Sequence, residues 1–335
     1  MPKKIFITGA NGFLGSALSR IALEKKYKVR AFVRENSDLS NLKNLNIEII
    51  RGDLRSKESI LNASNGCDSF IHTAADYRLW ARKPSEIYES NVFGTENLLD
   101  VVSKIKNHRL VFTSSVATLG ILKDREANES TPVKFSDMVG DYKKSKYLAE
   151  KIVYEYIKNK SLNCLIVNPS TPIGPGDIKP TPTGNIILQM LQKKMPAYVS
   201  TGLNFVHVDD VALGHFQAME LGQIGERYIL GGENIMLKEF LDLVSEYGNV
   251  PRVKFKVLTD PLYPLAFLNQ SLAFLLNNYK PTLTIESLKM SEKKMFFSSD
   301  KAKKKLGYRP RNVKSAIKDA VYWMKGNFFN NNIIN

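Results

Sequence analysis

The feature that most constrains this chain is Thr8-Gly9-Ala10-Asn11-Gly12-Phe13-Leu14-Gly15. It follows Lys3–Thr8, a short apolar run of strand character. It leads into a helical pattern of Leu14, Leu18, Ile21 and Ala22. Strand, glycine loop and helix in that order form the setting in which a dinucleotide's pyrophosphate is received. A side chain at Gly9 would obstruct the tight turn, one at Gly12 would hold the backbone away from the phosphates, and one at Gly15 would push the helix off the strand. The helix N-terminus then presents free N–H groups and the positive end of its dipole to the anion. The expected fold class is α/β, a doubly wound parallel sheet of Rossmann type with a smaller C-terminal substrate-binding subdomain.

The second strand, Lys28–Arg34, should end at the adenosine ribose. A carboxylate there holds two ribose hydroxyls, whereas a cation suits a 2′-phosphate. Arg34 occupies the strand end and Glu35 follows it. The guanidinium fork favours NADP(H), with NAD(H) as the alternative if Glu35 takes the ribose. Ile47–Leu54 reads as a third strand, and Asp53 at its end is placed to accept from the adenine amino group.

Asp141–Tyr156 has helical character with no internal Pro or Gly, so Tyr142 and Lys146 share a face at i and i+4. A free phenol, with a pKa near 10, is a poor base at neutral pH. A neighbouring ammonium favours the phenolate and lets the phenol act as general acid or base. Leu110–Ser115 is a buried-type strand that ends in hydroxyls, on the side where open α/β sheets bind ligands. Ser115 is favoured over Ser114 to orient a reacting carbonyl, and Thr118 is a lesser candidate. His72 reads as a packed strand residue.

Strand and helix patterns alternate through about residue 170. The chain then turns rich in Pro and Gly (Pro169, Pro172, Gly174, Pro175, Gly176, Pro180, Pro182, Gly184), which suits a substrate-facing loop. The expected division is a nucleotide-binding domain over 1–175 and a mainly substrate-binding part over 176–326. Part of 200–235, Val206–Gly214 in particular, returns to the main sheet. The Asn-rich tail 327–335 is expected to fray. Cys67 and Cys164 are not in metal-type spacing, so no metal site and no disulfide framework are expected. With the first strand beginning at about Lys3, no signal peptide is expected and the default location is the cytoplasm.

The chain has a formal net charge of +15. Lys289–Lys314 holds ten Lys/Arg against Glu292 and Asp300. Upstream, Pro261–Leu276 is apolar but too short, and too polar at Asn269-Gln270-Ser271, to span a bilayer. An apolar helix beside a basic cluster suits an anionic membrane surface. A helix over the substrate pocket or at a dimer interface is the plainer reading. Nucleic acid is not expected as a partner, because no aromatic-and-basic stripe accompanies the charge.

The order of motifs resembles the extended short-chain dehydrogenase/reductases. Within them it resembles the dihydroflavonol-4-reductase-like branch, and most closely the hopanoid-associated sugar epimerases. The resemblance covers about residues 3–325. It rests on Thr8–Gly15, His72–Trp80, Asn91–Leu99, Thr113–Gly120, Tyr142–Lys146, Asn168–Pro175, Lys179–Gly184, Val206–Ala212 and Tyr228–Asn234. It implies a catalytic Ser115, Tyr142 and Lys146, with Lys146 also holding the nicotinamide ribose. It implies that Ala74 and Ala75 line the nucleotide and that Pro169 and Ser170 lie beside the carboxamide. Asn91 would sit on a fifth helix and support a water chain. Asn11, Phe13, Leu14 and Leu54 are counted with the cofactor site. Tyr77 and Trp80, in the loop Asp76–Pro84, are expected to close over a small-molecule substrate. The family is commonly homodimeric. Sugar-nucleotide epimerases often carry an Arg before the strand that here reads Phe205–Val208, where this chain has Thr201-Gly202-Leu203-Asn204. A diphosphate without a guanidinium is hard to hold, leaving Arg227 or the C-terminal lysines as substitutes. The first reading is therefore an NADP(H)-dependent reductase or dehydrogenase. A sugar epimerase with a retained cofactor is the second, and a non-enzymatic nucleotide-sensing or membrane-associated protein on the same fold is the third.

Overall fold

The computed structural model describes residues 3–123, 125–276, 279, 281 and 283–329. The first strand, β1 (Lys4–Thr8), and helix α1 (Phe13–Glu24) flank the glycine loop. There follow β2 (Lys28–Val33), β3 (Glu48–Arg51), α2 (Lys57–Ser64), β4 (Ser69–His72), α3 (Ser85–Tyr88), α4 (Gly94–Val102), β5 (Arg109–Thr113), α5 (Gly140–Lys160) and β6 (Cys164–Pro169). The chain continues through β7 (Thr171–Ile173), α6 (Pro182–Leu191), β8 (Ala197–Val199), β9 (Gly202–His207), α7 (Val208–Leu221), β10 (Arg227–Leu230), β11 (Glu233–Met236) and α8 (Leu237–Gly248). It ends with β12 (Phe255–Val257), α9 (Tyr263–Leu275), α10 (Ile285–Ser291), α11 (Asp300–Leu306) and α12 (Val313–Phe328).

Seven parallel strands form the main sheet in the order β10-β6-β5-β4-β1-β2-β3. The central strands β1, β4, β5 and β6 are covered on both faces, which is why they are largely apolar, whereas the edge strand β3 is mostly exposed. Ile5, Ile7 and Val111 point into a core shared with Ala17 of α1, Phe216 of α7 and Leu306 of α11. Their neighbours Phe6, Leu110 and Phe112 point the other way, to Ile60 of α2, Leu98 of α4 and Val153 of α5. Strand order reverses between β1 and β4, and there the carboxyl ends open a crevice suited to a ligand.

A second core joins α6, α8, α12 and β9 around Ile187, Phe240 and Ile317, with Phe205 stacked on Phe240 at 4.3 Å. Strand β9 pairs with β11 and β7 in a separate three-stranded sheet. Within 200–235 the main sheet gains β10 as its edge strand. The stretch Val206–Gly214 does not enter that sheet. It forms the end of β9 and then α7, whose apolar face lies over the sheet beside α1. Helix α12 continues through Phe328, and residues 330–335 of the tail lie outside the described residues. No helix among the described residues is long and apolar enough to cross a membrane.

Candidate active site

The glycine loop turns tightly where β1 ends. Gly9 has φ +66°, and a Cβ there would come within 2.7 Å of the Ala74 backbone, which follows β4. A Cβ on Gly15 would lie 2.0 Å from the Gly9 carbonyl oxygen. These two glycines therefore let the loop, the α1 helix and the β4 connection close on one another. Gly12 is exposed at the N-cap of α1, with no side-chain cap and no acidic residue in the first turn. The first N–H groups of α1 are left for an anion. Asn11 is braced by a hydrogen bond from its Nδ2 to the Asp38 carbonyl at 3.1 Å. Phe13 and Leu14 are partly buried against the core.

Below the loop, His72 is a structural rivet. Its Nδ1 lies 2.7 Å from Thr8 Oγ1 and its Nε2 lies 2.9 Å from Thr95 Oγ1. Ala74 N–H donates to the same Thr8 hydroxyl at 3.2 Å. Burial pushes the His72 pKa down to about 3. The ring is thus a neutral packed residue. Asn91 lies in a π-helical turn, Glu89–Phe93, between α3 and α4, and not on a fifth helix. Its side chain accepts from Asp76 N–H at 2.6 Å and donates to the Asp76 carbonyl at 2.9 Å. It also donates to Ser145 Oγ at 3.0 Å, which fastens the Asp76 loop to α5 between Tyr142 and Lys146.

Arg34 is exposed at the end of β2, and its guanidinium makes no hydrogen bond or ion pair among the described residues. Glu35 faces Arg51 at 4.0 Å. Arg51 also donates to the carbonyls of Glu35 and Arg34. Pairing of Val33 with Arg51 sets a second guanidinium against the backbone of Arg34 and Glu35. The Asp53 carboxylate is clasped by Arg55, with its shortest contact 2.6 Å, and this holds it below the usual carboxylate range. Leu54 supports the loop through its carbonyl, which accepts from Asn97 Nδ2 at 3.0 Å.

Ser115 begins a 3-10 turn after β5, and its Oγ accepts from Ala117 N–H at 3.1 Å. Tyr142, on the first turn of α5, is partly exposed. Burial pushes its phenol up, and a hydrogen bond with the Ser115 side chain opposes the rise. Lys146 is buried. Its Nζ donates to the Thr113 carbonyl at 2.7 Å and lies 4.6 Å from the centre of the Phe112 ring. Burial pulls its ammonium down to about 8, with Glu150 acting against the fall.

Beneath this trio lies Glu150, which nothing in the amino-acid pattern singles out. Glu150, 4% exposed, sits one turn beyond Lys146. It accepts from Ser114 Oγ, from Thr118 Oγ1 at 2.9 Å and from Asn168 Nδ2 at 3.3 Å, and it pairs with Arg227 at 3.1 Å. Asn168 also donates to the Ser115 carbonyl at 3.0 Å. Ser114 is therefore a buried structural hydroxyl, and Ser115 is the one left toward the crevice. Arg227 is committed to Glu150 and to the Glu129 carbonyl, so it is not a diphosphate clamp. Thr201 and Asn204 are likewise engaged, with the Lys293 carbonyl at 2.9 Å and with Asn234 Oδ1 at 2.7 Å. Pro169 is buried at the end of β6, and next to it Ser170 Oγ is a buried polar atom without a partner among the described residues.

Tyr77 is 45% exposed, its hydroxyl 3.4 Å from the Lys179 carbonyl in the Pro/Gly-rich loop. Trp80 meets Phe274 of α9 edge-on, ring centres 5.6 Å apart. Gly176, in the same Pro/Gly-rich loop, accepts from Asn41 Nδ2 at 2.9 Å and so lies over the start of α1. The uncapped helix start, the glycine cradle and the orphaned Ser170 hydroxyl together suit a nicotinamide dinucleotide.

A sequence profile described as the NAD dependent epimerase/dehydratase family matches residues 5–231. A Synechocystis sp. protein bearing the name "Putative dihydroflavonol 4-reductase" is 42% identical over 329 residues, covering 96% of this chain and 94% of that one. Sterol demethylase protein B of Methylococcus capsulatus is 32% identical over 330 residues, covering 95% and 97%. The crystal structure of gox2253 is 47% identical and superposes with a TM-score of 0.87 over 97% of this chain and 99% of that one.

Proposed function

The chain belongs to the NAD dependent epimerase/dehydratase family, and from that premise we propose an NADP(H)-dependent reductase of the dihydroflavonol-4-reductase type. Its substrate is a ketone or the corresponding secondary alcohol. One observation carries this reading: Ser115 and Tyr142 meet beside a buried Lys146 where β5 ends. The engaged Thr201, Asn204 and Arg227 support a substrate without a diphosphate.

The α1 N-terminus and the glycine loop would hold the pyrophosphate, Arg34 and Arg51 the 2′-phosphate, Lys146 the ribose and Ser170 the carboxamide. When bound, the cofactor supplies or accepts the hydride. Ser115 donates a hydrogen bond to the substrate oxygen and fixes its direction. In reduction Tyr142 passes its phenolic proton to that oxygen, and in oxidation it takes the proton back. The raised phenol needs help to ionise, and the ammonium of Lys146 provides it. Glu150, through Asn168 and Thr118, holds the turn that carries Ser115.

Tyr142→Phe tests the proposal. Turnover of a ketone should fall by about 10²–10⁴-fold, with the NADPH Kd measured by fluorescence unchanged. Full turnover in the variant would sink the mechanism. In the wild type, NADPH that exchanges freely agrees with a reductase. A retained NAD that does not exchange would favour the epimerase reading.

A further inference from the structure

Helix α9 is turned inside out. Its polar residues face the protein: Gln270 donates to Glu286 at 2.8 Å and accepts from Ile285 N–H at 3.2 Å, and Asn269 donates to Tyr279 Oη at 3.0 Å. Ala266 and Ala273 are the buried apolar positions. The large apolar residues face outward instead, among them Leu268, Leu272, Phe267 and Leu275, the last 77% exposed. A surface helix of a globular protein normally buries that stripe and wets the other. An exposed apolar patch of this kind marks an interaction site.

The segment that leads into α9 is also exposed, and it carries charge. Arg252, Lys254 and Lys256, in and just before β12, are interspersed with Phe255, 73% exposed, and followed by Leu258, 70% exposed. Lys293 and Lys294 follow Glu292, whose carboxylate accepts from Tyr263 Oη at the start of α9 at 2.7 Å. The acids nearby are Asp260, Glu286 and Glu292, and the last two already hold hydrogen bonds from α9. Two copies of a chain of net charge +15 would bring cations against cations here. An anionic lipid surface instead meets both the cations and the apolar face.

We propose that α9 and the β12 strand before it form a docking surface for an anionic membrane. The helix lies in the headgroup boundary with Leu268, Leu272 and Leu275 inserted, and Lys254 and Lys256 pair with lipid phosphates. The Trp80–Phe274 contact places the Asp76–Pro84 loop at the edge of that surface.

Flotation of the full chain with phosphatidylglycerol/phosphatidylcholine vesicles tests this. The protein should float with anionic vesicles and stay behind with pure phosphatidylcholine, and about 0.5 M salt should release it. Leu268→Glu combined with Leu272→Glu should weaken vesicle binding at least about a hundredfold. Both positions are exposed, so Tm and ketone turnover in solution should hold. Lys254→Glu with Lys256→Glu, which leaves the helix intact, should weaken binding to anionic vesicles alone. The proposal is overturned if the wild type ignores anionic vesicles, binds neutral ones equally well, or floats undiminished with either pair of substitutions. A wild-type dimer that the leucine pair dissociates would also overturn it, because a second copy would then cover α9.

Discussion

Lys146 is a cation kept dry. Its ammonium has one backbone carbonyl and one aromatic face for company, and burial brings it down to about 8. If the ammonium is what makes Tyr142 a usable acid, kcat/KM for ketone reduction should be level below about pH 8 and decline above it. The decline should move to higher pH in Lys146→Arg, because guanidinium stays charged. A wild-type profile level to pH 10 would contradict this role. Loss of the fold does not mimic the effect. The lysine pKa falls on folding from 10.5, so between 8 and 10.5 the unfolded chain binds more protons and stability rises with pH. The Tyr142–Lys146 pair was legible because both residues belong to one helix, four apart. Glu150 was not, because its meaning depends on Asn168 and Arg227, which reach it from β6 and β10. The choice of Ser115 over Ser114 could be made from position in the strand, but its reason, the bond from Ser114 to Glu150, could not.

At the scale of elements, the sites lie where strands stop. The parallel register that sets Val33 beside Arg51 brings two guanidiniums to one end of the sheet. Arg34→Ala should raise the Kd of NADPH by about 10–100-fold, the worth of a charge-assisted bond, with little change for NADH. Arg51→Ala should shift the same ratio in the same direction. Equal losses for both nucleotides, measured by fluorescence titration, would refute the 2′-phosphate assignment. The glycine loop could be read locally because each glycine answers a contact only a few residues away or one strand over. Helix α9 was legible as an apolar stretch, yet periodicity does not say on which side the protein lies. The position of Gln270 against α10 settles that, and it comes from tertiary structure.

Across the whole molecule the chain crosses between layers and returns. After β6 it builds β7, α6 and β9 in the second layer, then lays α7 under the main sheet and completes that sheet with β10. A fragment ending at residue 175 would lose β10 and the apolar cover that Phe216 and Met219 of α7 provide over Leu165 and Val167. Such a fragment should be insoluble or bind a hydrophobic dye, with no cooperative melt by circular dichroism. A soluble fragment with a sharp transition would show that the first part folds alone. The order of strands also sets a clock during synthesis. Strand β6 is made long before its neighbour β10 exists. At about 5–20 residues per second the ribosome leaves that edge open for several seconds. For that interval the nascent chain carries a bare and mostly apolar edge strand, Cys164–Pro169, available to any other strand it meets. The moment of greatest exposure to mispairing thus falls in the middle of translation, while the second layer is still being made.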